Sequence, residues 1–176
     1  MTKYDLISIL ALVATIAVNS GLVYLQKTRQ IYQRFGHQAY LVHSVVITLV
    51  WGGFILTEFM ANATTWRFSH TYPGVGLPIM AVALGVFVAA LSQIGGNALA
   101  NGNFFHYPIR KLGGIYCYIK EPIYWSYAAW FFGLALLTGM KVFLVHVVIT
   151  LIGLVCFESW VERPTSPERS PKRTKS

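Results

Sequence analysis

The sequence predicts an all-α, polytopic membrane helix bundle of about five transmembrane helices, with the N-terminus outside and the C-terminus cytosolic. Three observations carry that reading. Hydrophobic residues make up 55% of the 176 and charged residues only 11%, against roughly 25% charged in an ordinary soluble domain. The few charges lie between long runs that have none: 6–26, 38–57, 71–107, 122–140 and 142–157. A helix crosses hydrocarbon with about 20 apolar residues, so these runs translate into spans at 4–25, 38–60, 75–94, 122–138 and 142–161. Finally, alternate connectors are basic. Lys27, Arg29 and Arg34 occupy the first, Arg110, Lys111 and Lys120 the third, and Arg163, Arg169, Lys172, Arg173 and Lys175 the tail, whereas the second holds only Arg67 and the fourth only Lys141. That alternation is the positive-inside pattern and sets the orientation.

The elements follow in order. The first span carries Lys3 balanced by Asp5 and is too long for a cleavable signal core, so it is expected to stay. The second ends near Glu58, which is expected to reach out to water from the membrane edge. His43 in the second span and His146 in the fifth are read as packed side chains. The third span carries Ala81, Gly85 and Ala89 at four-residue spacing, a stripe of small residues that lets another helix approach closely. Gly139 leaves only a tight turn between the fourth and fifth spans, so these form a hairpin whose far ends lie together. The third connector, 95–121, is long for a helical bundle and rich in aromatic residues, so it is expected to fold back onto the membrane interface. Residues 1–163 thus form one transmembrane domain, and 164–176, polar and broken by prolines, form a disordered basic cytosolic tail.

Several function classes drop out. The formal charge of +8 suggests nucleic acid, but its placement in alternate connectors explains it by orientation. Two cysteines, Cys117 and Cys156, with no His/Cys cluster give no metal site. The spans lack the buried charges and paired broken helices of a small transporter.

Chemistry concentrates in Gly114-Ile115-Tyr116-Cys117-Tyr118-Ile119-Lys120-Glu121-Pro122-Ile123-Tyr124, where a polar connector enters the fourth span. Taken singly, the tyrosines read as interfacial belt residues, the Lys120-Glu121 pair as solvated charges, and Glu158 and Glu162 as the polar end of a span. Together the stretch resembles the Gly-Pro-Tyr-x-Tyr-x-Arg-His-Pro-x-Tyr signature of the isoprenylcysteine carboxyl methyltransferase and phospholipid methyltransferase superfamily. The resemblance covers about 111–164 and includes Gly139 at the hairpin turn and the acidic Glu158 and Glu162 beyond it. It implies an integral membrane enzyme that uses S-adenosylmethionine and methylates a lipid, a lipidated cysteine or a small hydrophobic thiol at the cytosolic face. The cofactor-binding residues it implies are Tyr116, Tyr118, Lys120, Glu121, Pro122, Tyr124, Glu158 and Glu162, around a nucleotide-sized hollow where the last two spans meet below the third connector. Lys120-Glu121 stands where the family has Arg-His, which leaves a second reading open: a catalytically inactive membrane homologue acting as a binding or assembly subunit.

Overall fold

The computed structural model describes residues 1–61, 66–96, 101–105, 114–119 and 121–157. The tail, Lys120, Glu158 and Glu162 lie outside the described residues. Among the described residues six α-helices follow in order: α1 (Lys3–Arg29), α2 (Ile31–Phe35), α3 (His37–Ala61), α4 (Pro73–Ile94), α5 (Pro122–Thr138) and α6 (Val142–Phe157). α1, the stretch 37–59 of α3, and α4 are long and apolar enough to cross a membrane. α5 has 17 residues, about 25 Å of helix, and pairs with α6 as a shorter hairpin.

Local chemistry explains the boundaries. Thr2 caps α1 in a reciprocal box: its hydroxyl accepts from the Asp5 amide, and the Asp5 carboxylate accepts from the Thr2 amide. Such a box satisfies two N-terminal donors. Lys27 and Arg29 close the same helix, where cations suit the negative end of its dipole. α4 and α5 both open on proline, which lacks only a donor that would have been unpaired there. Gly139, at φ 73°, ends α5 in a left-handed conformation that glycine adopts without a Cβ penalty. The first connector is almost wholly helical. α1 runs on to Arg29, Gln30 turns left-handed at φ 48°, and α2 follows at once.

The bundle is inside-out relative to a soluble protein. Leu10, Leu49 and Val82 on the outer surface are 57%, 69% and 67% exposed, an apolar exterior suited to lipid. The inward face of α1, by contrast, carries Asp5, Ser8, Thr15 and Gln26 beside Leu12 and Val23. α1 packs between α3 and α6, α6 against α5, and α5 against α4. The core is built from Leu12, Phe54, Phe131, Ala135, Met140, Val142 and Phe143. Trp51 of α3 stacks on Tyr127 of α5 at 5.7 Å, closing the bundle across its middle.

The close approach of α4 uses a different face from the expected stripe. Gly85 meets nothing within 4 Å, and Ala81 is exposed. Gly76, Ala83 and Ala90 are the buried small residues, and a Cβ on Gly76 would lie 2.7 Å from the Gly133 carbonyl oxygen of α5. At the Gly139 end, main-chain bonds join the 66–72 segment to the hairpin turn: Phe68 N to Gly139 O at 2.7 Å, Tyr72 N to Leu136 O at 2.8 Å and Lys141 N to Trp66 O at 3.1 Å.

Candidate functional site

At the opposite end from Gly139, the connector enters α5 through a short 3-10 turn, Gly114–Cys117. Gly114 has φ +50°, and a Cβ there would run into the Gln93 side-chain amide at the end of α4. The turn therefore seats closely on α4 because residue 114 has no side chain. It presents Tyr116, half-buried, and is followed by Tyr118, which is 90% exposed and points away from the body. Glu121 takes a left-handed conformation at φ 54° and makes no side-chain cap to α5. Its carbonyl accepts from the Tyr124 and Trp125 amides at 3.0 and 3.3 Å, so the cap is made by the backbone and not by the carboxylate.

That carboxylate bears on Tyr116. Burial first, and the Glu121 charge second, hold the Tyr116 phenol above its ordinary pKa, so the ring stays a neutral, electron-rich surface at any physiological pH. Pro122 is buried at the start of α5. Tyr124, one turn in, packs against Val23 of α1 and Phe157 of α6. The base of the hairpin is thus closed by three side chains, and the α5 start and α6 end lie together as the hairpin reading requires.

Of the eight residues singled out in the sequence, Tyr116, Glu121, Pro122 and Tyr124 are placed near one another at this end. Tyr118 turns outward, and Lys120, Glu158 and Glu162 fall outside the described residues. Much of the wall expected for the hollow, Lys120, Glu158 and Glu162 included, lies outside the described residues. Between the helices, above Phe157, a cavity of about 30 Å³ is lined by Asn19, Ser20, Tyr127, Thr150 and their apolar neighbours. That is room for about one or two waters. A larger groove, about 410 Å³, runs between α1 and α6 along Val13, Ala17, Gly153, Cys156 and Phe157 and ends at the same place.

The connector, whose aromatic residues are expected to fold back and whose neighbour His43 reads as packed, is held down by contacts to α1, α2 and α3. Phe105, 3% exposed, sits among Tyr32, Tyr40 and His43, its ring centre 4.7 Å from the imidazole. Asn101 donates to Asn19 Oδ1 at 2.6 Å and lies 3.3 Å from His43 Nε2. Gln93 Oε1 is buried without a hydrogen-bond partner. Asn19, His43 and Gln93 showed in the sequence as polar residues inside apolar spans, and Asn101 and Phe105 as part of the connector; which of them meet was not legible, because the partners lie on different elements. Asn101→Ala is expected to cost about 0.6–1 kcal/mol, the usual worth of an interhelical polar contact in a membrane protein, seen as a small fall in thermal midpoint in detergent.

A second polar cluster lies near the Gly139 end. Glu58 does not extend to water. It turns inward, accepting from Ser8 Oγ at 2.6 Å, with Oε2 3.8 Å from His146 Nδ1. His146 Nε2 is 3.0 Å from the same hydroxyl. Ser8 has one hydrogen and gives it to Glu58, so Nε2–H is the donor to Ser8. His146 is fully buried and ringed by Phe54, Phe131 and Phe143. Partners at the same depth on α1 and α6 explain the inward turn, since a carboxylate facing lipid is costly.

Residues 72–168, more than half of the chain and including α4 to α6, match the family model described as Phospholipid methyltransferase. No curated protein and no solved structure matches the chain.

Proposed function

The chain belongs to the phospholipid methyltransferase family and is an integral membrane protein of methyltransferase type; from that premise we propose that it transfers a methyl group from S-adenosylmethionine to a lipid, a lipidated cysteine or a small hydrophobic thiol at the cytosolic face. The reading takes the α5 start, the α6 end and the third connector as that face, in accord with their basic connectors. The observation that carries it is the position of Tyr116, Glu121 and Tyr124 at the base of the α5–α6 hairpin, within the family-matched segment.

The described residues suit the cofactor's cationic half. Glu121 brings a carboxylate beside Tyr116, Gln93 offers a buried acceptor, and Tyr116 a neutral aromatic face. An aromatic face favours a cation by about 0.5–2 kcal/mol. Lys120, Tyr118, Glu158 and Glu162 complete the proposed set, with Lys120 on the carboxylate of the cofactor and the two glutamates, four residues apart in sequence, on its amino or ribose groups. Pro122 fixes the first turn of α5 and so the approach of Tyr124. When bound, S-adenosylmethionine supplies an electrophilic methyl on sulfur, which leaves as a neutral thioether when the acceptor atom takes the methyl. The protein's own contribution is alignment. Holding two reactants in line is worth several kcal/mol, up to roughly 7–11 in well-oriented cases. The α1–α6 groove ends at Phe157 and gives an acceptor's hydrocarbon chain a path from the bilayer to that point.

Calorimetric titration of the full chain in detergent with S-adenosylmethionine tests the reading. Binding is expected, with Glu162→Ala and Tyr124→Ala each weakening it much more than Glu58→Ala, which lies at the far end. Equal effects of the three would refute the placement. Glu121, in the family's histidine position, favours the alternative of a binding or assembly subunit. No heat, together with no labelled methyl in a total lipid extract, would decide for that alternative.

A further inference from the structure

A second groove, between α1, α2 and α3, is not used by methyl transfer. It measures about 310 Å³ and its walls include Leu22, Gln26, Phe35, Val42, His43 and Phe105. We propose that this groove binds one anionic glycerophospholipid, with an acyl chain in the slot and its phosphate against Arg29 and Arg34.

The polarity of the walls follows that of such a molecule. Leu22 and Val46 form the deep part, with Val42 above them, and Gln26 and Gln38 come next toward the helix ends. Arg29 continues the same face of α1, three residues beyond Gln26 and seven beyond Leu22. Arg34 lies between Ile31 and Phe35, the two α2 residues that line the groove. From Leu22 to Arg29 is about 10 Å along the helix. Moving outward, the groove therefore offers apolar surface, then amides, then cations, in the order acyl chain, ester, phosphate.

Charge selects the head group. Arg29 and Arg34 are both exposed, and no acidic residue occurs from 6 to 57. The cations of this rim thus meet no carboxylate from the helical stretches that build it, and a lipid with net negative charge suits them where a choline head group would place a further cation beside them. Access is lateral, since Phe35 and Val42 are 63% and 64% exposed on the apolar exterior. Phe105, from the connector that leads to α5, forms one wall.

Native mass spectrometry of the detergent-purified full chain, offered equal amounts of phosphatidylglycerol and phosphatidylcholine, tests this. One phosphatidylglycerol is expected to be retained in preference. Arg29→Glu with Arg34→Glu should lower that retention by about tenfold or more, since each basic residue near an anionic lipid contributes appreciably. Ala39→Trp fills the slot without changing charge and should abolish retention while S-adenosylmethionine binding is unchanged, which separates this site from the methyl-transfer site. If the double reversal does not fold, Arg34→Gln should show the same preference loss at smaller amplitude. Equal retention of the two lipids, undiminished retention in Ala39→Trp, or a second copy of the chain protecting the groove in place of lipid would overturn the proposal.

Discussion

Gly76→Leu is expected to yield no folded protein. A Cβ at position 76 would stand 2.7 Å from Gly133 O and 2.8 Å from Leu137 N. Both are main-chain atoms of α5, so no side chain can rotate away. Even Gly76→Ala forces the helices apart, and overpacking of that kind costs about 1–3 kcal/mol. A leucine adds three further carbons to a contact that has no space for the first. Gly133 repeats the constraint from the other side, with Gly76 O at 3.0 Å and Met80 Cγ at 2.5 Å from its own ideal Cβ. The control is Gly85→Leu, in open space on the same helix, which should express, elute as a single species in detergent and melt close to the parent. If the two leucine variants behave alike, α4 and α5 do not meet through Gly76 and Gly133.

His146→Ala is expected to cost about 3 kcal/mol or more. An ordinary interhelical hydrogen bond in a membrane protein is worth only about 0.6 kcal/mol, so loss of the Ser8 contact alone would hardly register. Most of the cost is the cavity left by the imidazole among Phe54, Phe131 and Phe143, since emptying a large buried site costs about 2–5 kcal/mol. Glu58 keeps the Ser8 hydroxyl but faces that gap with Oε2, so Glu58→Gln with His146→Ala is expected to be less destabilised than the sum of the two single variants. Thermal unfolding of the parent, both single variants and the double variant measures the coupling directly. A coupling no larger than about 0.6 kcal/mol, the worth of an ordinary interhelical bond, would leave the cluster with no special role in stability.

Residues whose meaning is local were legible before any coordinates. Pro122 at the start and Gly139 at the end placed α5 to the residue, because each acts on its own backbone. Tyr116, Glu121 and Tyr124 lie close together along the chain, so a single motif brought them together. What the sequence left open depends on partners. The spacing of Ala81, Gly85 and Ala89 says that a helix can be approached, and says nothing of the side; the contact is made by Gly76, Ala83 and Ala90. Glu58 looked like an edge residue until Ser8 and His146, on two other helices, supplied its alternative to water. α2 was hidden because the left-handed turn before it falls on Gln30, a residue type that does not advertise one.

The main-chain bonds between 66–72 and the hairpin turn divide two kinds of sequence change. They draw on amides and carbonyls that nearly every amino acid carries, so side chains such as Lys141 are free to drift over evolutionary time. Loop length is not: one inserted or deleted position between Leu136 and Lys141 would shift every donor off its acceptor at once. Epitope tags and fusion junctions therefore belong elsewhere, and indels should be rarer at this turn than its small size alone would suggest.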